Sequence, residues 1–297
     1  MQRGGNDVQK KKIRSNKGKG GIKILCFIIV GMTFWRYLKK DNFPDQIDSN
    51  TELRVESSTD GSSQNKSLYT TDYLTKLQEM AQTNAKVGEV LNHSEEYPED
   101  VLELLANNEE TIDFVLDYPE KNNLAPADSI GDINTGQIPL LIQWDERWGY
   151  TPYGDGILAV TGCGPTALAM VASGLTGDDS ITPHKVAEYA DENGYYVTGS
   201  GSSWNLMSDG GAEFGIQGQE LTLSEETIFS ELEMGHPIIC SMRPGNFTTT
   251  GHFIVLKGIE QGKVQINDPN SKKRSSQLWD YDSLKPQISN LWSYTLL

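Results

Sequence analysis

A cysteine held between two glycines at the head of an alanine-rich run, Thr161 to Met170 (TGCGPTALAM), sets the strongest limit on how this chain can fold. Glycine on both sides lets the backbone turn tightly and leaves the thiol uncrowded, and Pro165 suits the first turn of a helix. The pattern predicts a helix over 164–175 with Cys163 at its N-terminus. Unpaired backbone N–H groups and the positive end of the helix dipole stabilise a thiolate at such a place. Ala167, Ala169 and Ala172, set among Leu168, Met170 and Val171, let the helix pack closely against its surroundings. The plainer reading of any cysteine is a buried structural one. Cys240, within Pro237-Ile-Ile-Cys-Ser, fits that reading, because structural cysteines sit inside apolar runs rather than between glycines.

The chain has 297 residues, and only the part after Ile138 has the composition to bury a sizeable core. That part is punctuated by glycine. It shows helical spacing over 164–175, 183–193 and 224–234, then strand signals at Pro237 to Met242, His252 to Ile259 and Val264 to Asn267, and an apolar segment at Leu291 to Leu297. Helices first and strands later predict an α+β domain over 138–297. Ahead of it, residues 68–137 read as a short helical stalk followed by a loop. Its apolar residues recur at helical spacing, as in Leu102, Leu104 and Leu105, and Pro98 suits a first turn. Residues 41–67 are rich in Ser, Asp, Asn and Gln and read as a disordered linker.

Charge is divided unevenly. Residues 1–40 carry eleven Lys/Arg against one Asp, and the remainder fourteen Lys/Arg against forty Asp/Glu. An acidic body excludes nucleic acid as partner, since phosphate binding needs a basic surface on the folded part. The basic head points instead to a membrane, because Ile24 to Trp35 is apolar and flanked by Lys23 and Arg36. Such a segment is either a signal peptide or an uncleaved anchor. No small-residue cleavage site follows Trp35, which favours a single-pass anchor with residue 41 onward outside the cell. Cys26 in that segment reads as hydrophobic filler. Three cysteines are too few for a disulfide framework.

A thiol nucleophile needs a base. His184 follows Thr182-Pro183 at a helix start, and His236 lies in a turn between Gly235 and Pro237, so both read as surface residues. His252 opens the strand Phe253-Ile-Val-Leu behind a loop from Thr248 to Gly251, which places an imidazole at a strand end. A three-residue turn at Glu260-Gln261-Gly262 would pair Ile259 with Lys263 and Ile254 with Asp268. His252 and Asp268 then share one sheet face, with Asn267 on the other; a two-residue turn would reverse this. Gln143, in LIQWDERWG, offers a side-chain amide as an oxyanion donor beside the Cys163 N–H. No Cys/His cluster has zinc spacing. The run from Asp132 to Gly136 has Gln143 where a calcium loop needs a bidentate Glu, so no metal or cofactor is expected.

Taken together, Gln143-Trp-Asp, Gly162-Cys-Gly-Pro-Thr, Thr250-Gly-His-Phe and Asn267-Asp-Pro-Asn resemble the peptidase C39-like family of bacterial papain-fold cysteine hydrolases. The resemblance runs from Ile138 to the C-terminus with all four motifs in order. It implies a papain-like fold, triad roles for Cys163, His252 and Asp268, the oxyanion role for Gln143, and a peptide or protein substrate. Tyr97-Pro-Glu-Asp and Asp117-Tyr-Pro-Glu resemble the region that precedes this domain in Gram-positive members. The better-understood relatives trim double-glycine leader peptides as cytosolic parts of export transporters, and their glutamine stands closer to the cysteine. The expected activity is therefore that of an extracellular cysteine peptidase other than a leader peptidase. Cleavage of peptidoglycan stem peptides, and binding without turnover, are the alternatives.

Overall fold

The computed structural model describes residues 62–297. The apolar segment Ile24 to Trp35, on which the expectation of an anchor rests, lies outside the described residues. Among the described residues no helix is long and apolar enough to cross a membrane.

The described chain opens with helices α1 (Ser62–Ala81), α2 (Ala85–Asn92), α3 (Glu99–Asn107) and α4 (Ile112–Leu116). α1 starts ahead of Leu68, inside the stretch expected to be linker. Asn84 caps α2 by accepting from the Lys86 N–H, and Pro98 precedes α3, whose first turn carries Glu99 and Asp100. The apolar faces of these helices, with Val87, Val90, Val101, Leu105 and Val115 among them, close on one another. They close equally on Ile142, Trp144, Tyr150 and Ala159 from the segment that leads into Cys163. Phe114 stacks on Tyr150 at 4.2 Å between ring centroids, and the Tyr150 hydroxyl donates to the Phe114 carbonyl at 2.9 Å. The helices ahead of Ile138 thus share a core with the region behind it.

Behind them come α5 (Cys163–Thr176) and α6 (Pro183–Glu192), then a six-stranded sheet. Its strands are β1 (Ile216–Glu220), β2 (Ile238–Met242), β3 (His252–Glu260), β4 (Lys263–Asn267), β5 (Leu278–Trp279) and β6 (Ile288–Leu296). They run antiparallel in the order β1-β6-β2-β3-β4-β5, so the strand latest in sequence lies inside the sheet between β1 and β2. Both faces are covered. α5 and α6 pack on Ile239, Phe253, Val255, Trp292 and Tyr294, and α7 (Glu225–Glu233) packs on Ile238, Cys240, Ile254 and Leu256. Burial from both sides explains why all five residues of β2 are buried and apolar or small, without polar alternation. The fold is α+β and papain-like, with the cysteine helix ahead of an antiparallel sheet, as the order of periodicities predicts.

The β3–β4 hairpin differs from expectation in a way that bears on the site. The turn has two residues, Gln261 and Gly262, both left-handed with φ of 54° and 74°, and Glu260 pairs with Lys263. By itself this would put Asn267 and not Asp268 on the face of His252. The ladder, however, slips between Leu256 and Gly258, leaving Lys257 unpaired, after which Leu256 opposes Ile266 and Val255 opposes Asn267. The paired ladder ends there, and continuing its register by one step would set Ile254 opposite Asp268. The bulge cancels the short turn, and the expected facing of His252 and Asp268 holds for a different reason.

Candidate active site

Cys163 is the first residue of α5, and Gly162 ahead of it offers no side-chain cap, so the first N–H groups of the helix stay open around the thiol. The flanking glycines are required by close packing rather than by an unusual turn. Gly162 has φ of −90°, which any residue adopts, but a Cβ there would lie 2.4 Å from the Leu158 carbonyl oxygen. A Cβ on Gly164 would lie 2.4 Å from the Ser202 hydroxyl.

His252, at the start of β3, is buried, and its Nε2 meets Asp268 Oδ1 at 2.8 Å. Nδ1 is thereby left free of the carboxylate, and the Cys163 sulfur lies close enough to act on the ring's charge. Burial pushes the imidazole pKa down, but the Asp268 carboxylate and the Cys163 sulfur outweigh it and raise the value to about 10. Burial likewise pushes the Asp268 carboxyl up, whereas His252 and Arg274 together hold it below the usual carboxylate range. Both carboxylate oxygens of Asp268 are engaged. Oδ1 also takes the Asn270 N–H at 2.8 Å, and Oδ2 takes Arg274 Nε at 2.5 Å. Asn267 points elsewhere, donating to the Ile138 and Pro139 carbonyls.

Gln143 is buried beside them. Its Nε2 donates to the Ala159 carbonyl at 2.7 Å and to the Val160 carbonyl at 3.5 Å, its Oε1 has no partner, and its backbone N–H binds the Pro269 carbonyl at 2.8 Å. Gln143, Cys163 and His252 line one cleft of about 380 Å³. The loop Gly245 to Gly251 forms one rim, Asn270 and Arg274 lie at another, and Asp100, Glu103, Leu104 and Asn107 of α3 make the facing wall. Burial, with Glu99 and Asp100 alongside, raises the Glu103 carboxyl above its usual range.

The other candidates stand apart. His236 pairs with Glu231 at 2.9 Å, His184 lies 3.5 Å from Glu188, and Cys240 is fully buried in β2 with its thiol pKa pushed up by burial. The four residues singled out by the sequence are therefore brought together.

A family model described as "Peptidase_C39 like family" matches residues 135–296, more than half of the chain. The chain belongs to this Peptidase_C39 like family. Among solved structures it is similar to the peptidase domain of Streptococcus ComA, a bi-functional ABC transporter involved in a quorum sensing pathway. That likeness has 18% identity and a TM-score of 0.36, over 46% of this chain and 90% of the other. It is also similar to a double glycine motif protease from an AMS/PCAT transporter, solved in complex with the leader peptide. There the identity is 18% and the TM-score 0.37, over 55% of this chain and 95% of the other. No curated protein matches.

Sequence reasoning missed Arg274 and the α3 wall. Arg274 stands third in Lys272-Lys273-Arg274, and nothing in a run of cations marks which one turns inward. The wall comes from helices more than fifty residues before Cys163. The cue for it was the apolar stripe of α3, which must be buried against something.

Proposed function

We propose that the chain is a cysteine peptidase that cuts peptide bonds through an acyl-enzyme on Cys163. The observation that carries this reading is the His252 Nε2 to Asp268 Oδ1 contact of 2.8 Å in a cleft shared with the Cys163 thiol. With Nε2 engaged by the carboxylate, Nδ1 exchanges a proton with the sulfur. The thiolate attacks the carbonyl carbon, and the C–N bond breaks as the imidazolium protonates the leaving amine. Water, deprotonated by the same nitrogen, then attacks the thioester and restores the thiol. The Cys163 N–H and the Gln143 side-chain amide, whose Nε2 faces the Ala159 and Val160 carbonyls before substrate binds, are the donors assigned to the oxyanion. Asp268 fixes the ring and stabilises its charged form.

Alkylation tests the first step. Iodoacetamide should modify Cys163 in the folded protein and spare Cys240, whose sulfur is buried and held as thiol. Modification of Cys240 first, with Cys163 inert, would remove the nucleophile. For the natural substrate, the envelope proteins of cells making the active chain are compared with those of cells making Cys163→Ala. New N-termini confined to the active strain are the expected result. The outward placement rests on the basic head and the apolar segment ahead of residue 41. Protease added to intact cells should destroy the large acidic part, and its survival would overturn that placement.

A further inference from the structure

We infer that Asn108 and Glu110, which lie ahead of the segment matched by the family model, are positioning residues for Asp268. The N-terminal helices α3 and α4, between which they lie, are then a working part of the site. The inference rests on Asp268 being the residue that orients His252.

Besides the imidazole, the Asp268 carboxylate has two donors, the backbone N–H of Asn270 and Arg274 Nε. Each is one short step from the N-terminal helices. Asn108 Nδ2 donates to the Asn270 carbonyl at 2.6 Å and to Asn270 Oδ1 at 3.1 Å, fixing the residue whose N–H holds Oδ1. Glu110 takes the Ser271 hydroxyl on Oε1 and the Lys273 N–H on Oε2 at 3.1 Å. Ser271 Oγ in turn accepts from the Arg274 N–H at 3.0 Å and so starts the single turn α8 (Lys272–Ser275). The backbone that aims the Arg274 side chain at Oδ2 thus ends on the Glu110 carboxylate.

A chain of hydrogen bonds to a charged acceptor is stiffer than the same loop in water, and charged partners make its members stronger than neutral pairs. Asn270 would otherwise be held from the far side by Trp144 Nε1 alone, at 3.2 Å from its carbonyl. A mere staple between two layers would predict only lost stability when these side chains are removed. A brace on Asp268 predicts that the charge on His252 weakens, since that charge depends on where the carboxylate sits.

The experiment measures kcat, KM and the pH profile on a peptide substrate for the full chain and for Glu110→Ala, Glu110→Gln, Asn108→Ala and Asp268→Asn. The Glu110→Ala/Asp268→Asn double variant is included, and melting temperatures are recorded throughout. Glu110→Ala should lower kcat by about tenfold with little change in KM, and should move the alkaline limb of the profile to lower pH. Glu110→Gln, which keeps an acceptor oxygen in place, should recover part of both. In the Asp268→Asn background, Glu110→Ala should shift the limb no further, because the residue through which it acts is gone. A lowered melting temperature with an unmoved limb in both Glu110→Ala and Asn108→Ala would reduce the contacts to packing and sink the inference. An unmoved limb in Asp268→Asn would instead overturn the role of Asp268, and the brace with it. Should Glu110→Ala not fold, Glu110→Gln and Asn108→Ala decide by the same limb.

Discussion

The His252 ring is the residue on which the pH behaviour of this site turns. Its pKa is raised in the folded chain from an ordinary 6.5 to about 10. The stability contributed by its proton is therefore fully present below 6.5 and is lost as pH rises through about 10. Peptide hydrolysis should hold level above neutrality and fall in an alkaline limb near pH 10, as the imidazolium that protonates the leaving amine disappears. Asp268→Asn should bring that limb down toward the ordinary histidine value, measured as kcat/KM against pH. An unchanged limb would mean that another group sets it. A second residue-scale test concerns Gly164. Because a Cβ there meets Ser202 Oγ at 2.4 Å and Ser202 Cβ at 2.6 Å, Gly164→Ala should cost about 1–3 kcal/mol in urea unfolding. No loss would show that the Ser202 loop yields freely. Cys163 and His252 stood out by an unusual local setting, between glycines and at a strand start, whereas Gln143 drew its weight from the family resemblance. Arg274 did not stand out, since its role depends on a carboxylate that only the folded turn places beside it.

Among the elements, the β3–β4 hairpin shows how a correct facing can come from a wrong turn. The expectation was a three-residue turn. The structure has two left-handed residues and a bulge at Lys257. Gly258 is the mark that was available, since glycine inside a strand pattern commonly signals a bulge. Gln261, with φ of 54°, is the only non-glycine residue with positive φ among those described, and it occupies a turn position that favours asparagine. Gln261→Asn should therefore raise stability by about 1 kcal/mol and leave kcat/KM unchanged, as the turn lies at the far end of the hairpin from His252. A fall in activity would mean that the turn and the bulge are coupled. The helices and strands with clean periodicity fell within a few residues of expectation. β1 was missed because Ile216–Glu220 is a polar edge strand whose only partner is β6, so no apolar alternation announces it.

For the whole molecule, charge is the property that reaches furthest. The chain beyond residue 40 is strongly acidic, and Asp100 and Glu103 carry that sign into the cleft wall. A peptide with a lysine near the scissile bond should be cut faster than its glutamate counterpart, by about tenfold at low salt. The gap should close as ionic strength rises toward about 1 M, where screening acts within about 3 Å. A preference that salt does not alter would belong to shape and not to field. The order of elements was readable from the sequence. What was not readable is that the helices ahead of Ile138 join the same body, because a stripe of leucines states that a face is buried but not against what.

The place of β6 in the sheet also governs the protein's synthesis. The ribosome makes this strand after the other five, yet it separates β1 from β2, so those two cannot take their final positions while it is missing. A growing chain already carries its cysteine helix, the wall that faces it and the strands on either side of His252, but its sheet stays open between β1 and β2. The sheet that carries His252 is thereby completed only once this late strand has been delivered.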